Sequence, residues 1–282
     1  MHIEGRLCAE RATGGEGSTK RGGKAMASGA PYPTRESDVF DYAHNPTWRI
    51  FRIMSEFVEG FSFLAQIQRS VTIFGSARFP ESSPYYQKAR QLGWRLAQEG
   101  YTVVTGGGPG IMQAANQGAY EAHGGSVGIN IQLPHEQRIN PYVTRSVSFH
   151  YFFSRKVMLD FSADAYVFFP GGYGTLDEYF ELLTLVQTGK VDHMAPIIMV
   201  GREYWEPLAQ WMRESLLERF HTIAPHDLTI WTLTDDIDEV VRLIAAGVKQ
   251  QVEQRIAATG QAGTTPDEKL AQATKEMTGS EQ

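Results

Sequence analysis

Pro170-Gly171-Gly172-Tyr173-Gly174-Thr175-Leu176-Asp177-Glu178 follows the apolar run Ala165-Tyr166-Val167-Phe168-Phe169 and leads into a helical pattern from Tyr179 to Thr188. The order is strand, glycine turn, helix. Such a turn points main-chain N–H groups at a helix N-terminus, where an anion is favoured. Its glycines let the backbone bend and let a ligand come close. Glu178 is expected in the first helical turn, just behind the anion position. A phosphate cradle beside a carboxylate predicts chemistry on a phosphorylated substrate. Thr175 and Glu178 also have the spacing of a capping box with Thr175 at the N-cap, a purely structural alternative. Asp177 is expected to face solvent and complement the helix dipole.

The pattern around this stretch repeats the same alternation. Helical spacing runs from Trp48 to Gln68, through Ile50, Ile53, Met54, Phe57, Phe61 and Leu64. Strands are predicted at Val71–Phe74, Thr102–Thr105, Ser126–Ile131, Ala165–Phe169, Ile197–Val200 and Leu228–Leu233. Helices are predicted between and after them, at Tyr85–Glu99, Ile111–His123, Phe149–Ser162, Leu176–Gly189, Trp205–Phe220 and Asp236–Ala246. Strands alternating with helices imply right-handed crossovers and a parallel sheet covered on both faces. The expected fold is α/β, a Rossmann-like doubly wound parallel sheet in a single domain over 45–250, with an added N-terminal helix. Ligands on such sheets bind at the carboxyl ends of the strands, near the switch in strand order. Three glycine-bearing turns fall at strand ends, namely Gly75-Ser76, Gly106 to Gly110 and Gly171 to Thr175. All three are therefore expected on one edge of the sheet.

Residues 1–40 are rich in Gly, Ser, Thr, Arg and Lys without periodicity, and are read as disordered. Ile3-Glu4-Gly5-Arg6 matches a protease cleavage sequence and Met26 offers an internal start, so this segment is set aside from the fold. Residues 254–282 are read as a polar tail. The net charge of -6 argues against general nucleic-acid binding, which needs a basic surface. Cys8 is the only cysteine, which excludes an intrachain disulfide and cysteine-based metal sites. No apolar run reaches membrane-spanning length. The expected setting is cytoplasmic, with no membrane or nucleic-acid partner. The apolar surface of the helices at Trp48–Gln68 and Leu176–Gly189 predicts a homo-oligomer.

The motifs narrow the chemistry. Gly106-Gly107-Gly108-Pro109-Gly110 is not a P-loop, because no Gly-Lys-Ser/Thr follows it. The first strand ends in Gly75-Ser76-Ala77-Arg78-Phe79-Pro80, which fails the dinucleotide pattern. Four glycines in five residues after a buried strand still exceed what a tight turn needs, and they point to a ligand. Arg155-Lys156 opens a helix, where cations oppose the dipole unless an anion binds. Glu136, Gln137, Asn140 and Tyr142 lie in an irregular loop on the ligand edge. No histidine pair has metal-ligand spacing, so no metal is assigned. Ser76 lacks the partners of a hydrolase triad.

Gly106-Gly107-Gly108-Pro109-Gly110-Ile111-Met112, Arg155-Lys156 and Pro170 to Glu178 together resemble the LONELY GUY (LOG) family. These are the cytokinin riboside 5'-monophosphate phosphoribohydrolases, often mislabelled as lysine decarboxylases. The resemblance covers about Val71 to Met212. The Leu133-Pro134-His135-Glu136-Gln137 loop, Phe152-Phe153 before Ser154-Arg155-Lys156, and the leading helix are similar to the type II bacterial branch, whose members are often higher oligomers. The resemblance implies hydrolysis of the N-glycosidic bond of a purine nucleoside 5'-monophosphate, with no cofactor required. AMP or an N6-modified AMP would yield free base and ribose 5-phosphate. It implies Arg155 and Glu178 as catalytic residues and Gly171, Gly172, Gly174 and Thr175 as the phosphate turn. Lys156, Thr184 and Glu136 match positions near the substrate, and the substrate-binding set extends to Ser76, Gly107, Gly108 and Asp177. The rivals are a broader nucleotide nucleosidase and a non-catalytic nucleotide or pterin-cofactor binding protein. A lysine decarboxylase would need a Schiff-base lysine for pyridoxal phosphate, and Lys156 is the only lysine in the motif set.

Overall fold

Alternate residues of the central strands fill two separate cores, one on each side of a sheet. Val71 and Ile73 face one core with Val167 and Phe169, and Phe74 faces the other with Tyr166 and Phe168. This follows from the two-residue period of a strand. It explains why these strands read as unbroken apolar runs. The computed structural model describes residues 46–132, 139–191 and 195–261. Residues 1–40, Glu136 and 262–282 lie outside the described residues.

The unit beginning at Pro46 opens with α1 (Pro46–Leu64), followed by β1 (Ser70–Phe74), α2 (Pro84–Gln98), β2 (Thr102–Thr105), α3 (Ile111–Glu121) and β3 (Ser126–Ile131). Then come β4 (Arg145–Phe149), α4 (Phe152–Asp160), β5 (Ala165–Phe168), α5 (Tyr173–Gln187) and β6 (Ile197–Val200). The last elements are α6 (Arg202–Trp211), β7 (Trp231–Thr234) and α7 (Ile237–Gln261). The strand order is β4-β3-β2-β1-β5-β6-β7, and every neighbouring pair is parallel. This is the expected doubly wound sheet. The chain leaves β1 in one direction and returns to its other side as β5, so the switch point lies between β1 and β5. Among the described residues no helix is long and apolar enough to cross a membrane.

Three expectations need correction. The helix predicted over Phe149–Ser162 is two elements, the edge strand β4 and then α4. Arg145-Ser146-Val147-Ser148-Phe149 alternates and buries only Val147 and Phe149, the pattern of a half-exposed edge. Thr175 is not an N-cap. α5 begins at Tyr173 with Gly172 as its N-cap, so Glu178 falls in the second turn and the capping box does not exist. Residues 254–261, expected in the polar tail, are helical, because α7 runs to Gln261. Gln251 is buried on that helix and its Nε2 donates to the Asp164 carbonyl at 3.1 Å.

Candidate active site

The register of the central pair builds the site. Phe74 on β1 pairs with Phe168 on β5, and their rings stack at 4.7 Å. The chain therefore leaves both strands at the same level. The main-chain N–H of Ser76 donates to the Pro170 carbonyl at 3.0 Å, and the N–H of Ile111 donates to the Ser76 carbonyl at 3.0 Å. Two of the glycine turns are thus joined, and α3 is tied to them. Gly110 sits at φ +67, and a Cβ there would lie 2.3 Å from the Ser76 carbonyl oxygen, so only glycine fits.

A cavity of about 930 Å³ opens at this switch point. Ser76, Gly106, Arg155, Lys156, the Gly171–Thr175 turn, Asp177 and Glu178 line it. The expected convergence of three strand-end turns on one edge is what the fold produces. The glycines of the cradle differ in their reasons. A Cβ on Gly171 would lie 2.1 Å from Thr175 Oγ1, so that glycine is a packing requirement. A Cβ on Gly172 or Gly174 would meet nothing within 4 Å. The fold does not need glycine there. Space for a ligand at the N-terminus of α5, which has no side-chain cap, does account for it. Tyr204 of α6, which also lines the cavity, fixes the turn, its hydroxyl donating to the Gly171 carbonyl at 2.6 Å.

Arg155 enters from α4. Burial pushes its guanidinium below the usual range, with Glu178 opposing the shift. Its Nε has no hydrogen-bond partner among the described residues. Its Nη2 lies 3.3 Å from where a Cβ of Gly106 would stand, so that glycine makes room for the guanidinium. Burial pushes the Glu178 carboxyl up to about 7, against the pull of Arg155 and Lys156. Its Oε2 is buried without a hydrogen-bond partner among the described residues. A half-buried cation and a buried carboxylate, each with an atom unpaired among the described residues beside an open cradle, are the arrangement expected of a site for a polar ligand.

Other predicted positions are held differently. Lys156 Nζ lies 2.8 Å from Asp177 and 2.5 Å from Glu181. Burial pushes its ammonium down, and the two carboxylates more than reverse this, so its pKa is raised. Asp177 is exposed as expected, and it pairs with Lys156 besides facing the helix dipole. Gly107 and Gly108 are buried, and main-chain groups of both are hydrogen-bonded within the protein. The Gly107 N–H donates to Thr105 Oγ1 at 2.9 Å, and the Gly108 carbonyl accepts from Asn140 Nδ2 at 3.1 Å. Thr184 is exposed about three turns along α5; it does not line the cavity but a groove with Tyr173, Phe180 and Leu185.

Sequence reasoning missed Asp160, Glu181, Tyr204 and Glu56. Asp160 and Glu181 are each one helical turn beyond a residue already singled out, Lys156 and Glu178, which was the available signal. Tyr204 had none. Glu56 sat unnoticed within an apolar helical stripe.

A family model described as "Possible lysine decarboxylase" matches residues 112–244. The cytokinin riboside 5'-monophosphate phosphoribohydrolase of Rhodococcoides fascians is 28% identical over 183 residues, 62% of this chain and 89% of that protein. Over this region the chain resembles the LOG family. The namesake of Mycobacterium tuberculosis is 28% identical over 172 residues, covering 60% of this chain and 90% of the relative. A solved molybdenum cofactor binding protein from Rippkaea orientalis is 21% identical with a TM-score of 0.47, covering 64% of this chain and 98% of its own. The match to residues 112–244 includes both Arg155 and Glu178.

Proposed function

We propose that this chain hydrolyses the N-glycosidic bond of a purine nucleoside 5'-monophosphate, AMP or an N6-modified AMP, releasing free base and ribose 5-phosphate. The observation that carries the reading is the meeting of Arg155 and Glu178 beside an open glycine cradle in one cavity at the switch point. The LOG relatives named phosphoribohydrolases support it. In this reading the 5'-phosphate docks on the N–H groups at the start of α5. Binding energy from that remote phosphate positions the sugar. Arg155 holds phosphate or ribose oxygens in a fixed geometry. As the bond from C1' to the base nitrogen lengthens, positive charge grows on the ribose, by analogy with glycosides. Ionised Glu178 stabilises that charge and takes the proton of the attacking water. The departing electron pair stays on the base nitrogen, which is protonated from solvent. A carboxyl with a pKa near neutrality suits a general base.

The reaction requires no cofactor. Lys156 is a poor Schiff-base lysine, because two carboxylates hold it charged, and an amine must be deprotonated to attack. We also place the chain in the cytoplasm, acting on a small molecule with no nucleic-acid or membrane partner. The deciding experiment incubates purified protein with AMP and follows adenine and ribose 5-phosphate by chromatography. Release of both is expected, with isopentenyl-AMP compared next. Binding without release from AMP, isopentenyl-AMP or GMP would sink the reading in favour of a nucleotide or pterin-cofactor binding protein.

A further inference from the structure

Three carboxylates crowd one ammonium where α4 meets α5. Oxygens of Asp160, Glu178 and Glu181 all lie within 4.8 Å of one another. Lys156, one turn before Asp160, is committed to Glu181 and Asp177. Asp160 is 2% exposed and Glu178 6% exposed. Asp160 Oδ1 and Glu178 Oε2 have no hydrogen-bond partner among the described residues. From β5 the Tyr166 hydroxyl reaches only the main-chain carbonyl of Asp160. From α4, Arg155 faces Glu178. Asp177 is exposed and spent on Lys156. Two buried carboxylates this close cannot both be ionised at ordinary cost.

We infer that Asp160 is a positioning residue that holds one proton and shares it with Glu178, directly or through one water, so that Glu178 stays ionised and aimed at the substrate. Burial first, then Glu181 and Glu178, push the Asp160 carboxyl up to about 8, against Lys156, in keeping with this geometry. The inference rests on the hydrolase reading for its use, but the proton can be observed without substrate.

The test is infrared difference spectroscopy of the full chain near neutral pH, with aspartate carrying heavy carbon at its side-chain carboxyl. A protonated-carboxyl band that moves on labelling and is missing in Asp160→Asn is expected. No such band, or one that survives in the variant, overturns the inference. If Asp160→Asn does not fold, Glu178→Gln replaces it. Removing the neighbouring carboxylate should then let the labelled band titrate at lower pH, and an unmoved midpoint overturns the inference. Millimolar Mg2+ that abolishes the band and raises turnover also overturns it, assigning the three carboxylates to a cation. In kinetics, wild-type kcat should fall on both sides of neutrality. Asp160→Asn should lose the alkaline limb only, so the ratio of variant to wild type climbs by about tenfold per pH unit there. A uniformly scaled profile would mean a merely structural aspartate. If the wild type releases no base from any nucleotide, the hydrolase reading fails while the infrared result still decides the proton.

Discussion

The main-chain N–H of His150 donates to Glu56 Oε1 at 2.7 Å, so a helix that precedes the sheet caps the helix that carries Arg155. Tyr151 N–H and the Ser154 hydroxyl add to the same carboxylate. α4 has no side-chain cap of its own and bears Arg155 and Lys156 near its start, against its dipole. Glu56 supplies the missing acceptor and the missing negative charge. Glu56→Ala should therefore cost about 1–3 kcal/mol in denaturant unfolding, as buried donors lose their partner. It should also lower turnover by displacing Arg155. Unchanged stability would show that water replaces the cap.

Glu178→Gln keeps the shape and removes the charge. With AMP as substrate, kcat should fall by about a hundredfold or more while KM changes little, the size expected for a lost general base. Wild-type turnover in this variant would leave Glu178 with no chemical role.

The cradle glycines separate packing from binding. Gly171→Ala drives a methyl into Thr175 and should destabilise the fold. Gly172→Ala and Gly174→Ala meet open space, so unfolding free energy should stay within about 0.5 kcal/mol. Calorimetry with ribose 5-phosphate should nevertheless show roughly tenfold weaker binding, because the methyl occupies the ligand's approach. Full affinity in both would place the phosphate elsewhere.

Stability should depend on pH in an unusual direction. Burial raises Asp160 from 3.8 to about 8 and Glu178 from 4.5 to about 7. Between those values the folded state holds more protons than the unfolded one. The unfolding free energy should then decline as pH rises from about 4 to 8 and level off above. The penalty is absent below the unfolded values and complete above the folded ones. Asp160→Asn should flatten the decline and gain about 1–3 kcal/mol near neutrality. An identical slope in variant and wild type would refute it.

α1 exposes Ile50, Phe51, Met54, Val58 and Phe61. An apolar stripe of this kind marks an interaction surface, and a homo-oligomer is expected in sedimentation. Met54→Asp together with Val58→Asp should reduce its mass, whereas a wild-type monomer would remove the claim.

The layout of sheet and cavity is legible in the sequence because local signals agree there. Apolar strands buried on both faces, glycines just past them and helical stripes between them each point to the same crossover unit. β4 escapes because an edge strand buries one face only, and five alternating residues beside a loop look irregular. Thr175 misleads because its spacing to Glu178 satisfies a capping rule, while the backbone starts the helix two residues earlier at Tyr173. Glu56 and Tyr204 act from distant segments, on His150 and Gly171, and no local pattern encodes such pairings.

The cradle is moored on two sides, by the Ser76 N–H at Pro170 and by the Tyr204 hydroxyl at Gly171. A loop so anchored has already lost its backbone entropy during folding. Ligand capture then orders little further chain, and conformational freedom surrendered on binding is small. Association should behave as entry into a rigid receptor, with a heat-capacity change set by dehydration of the pocket and not by folding of a loop around its guest.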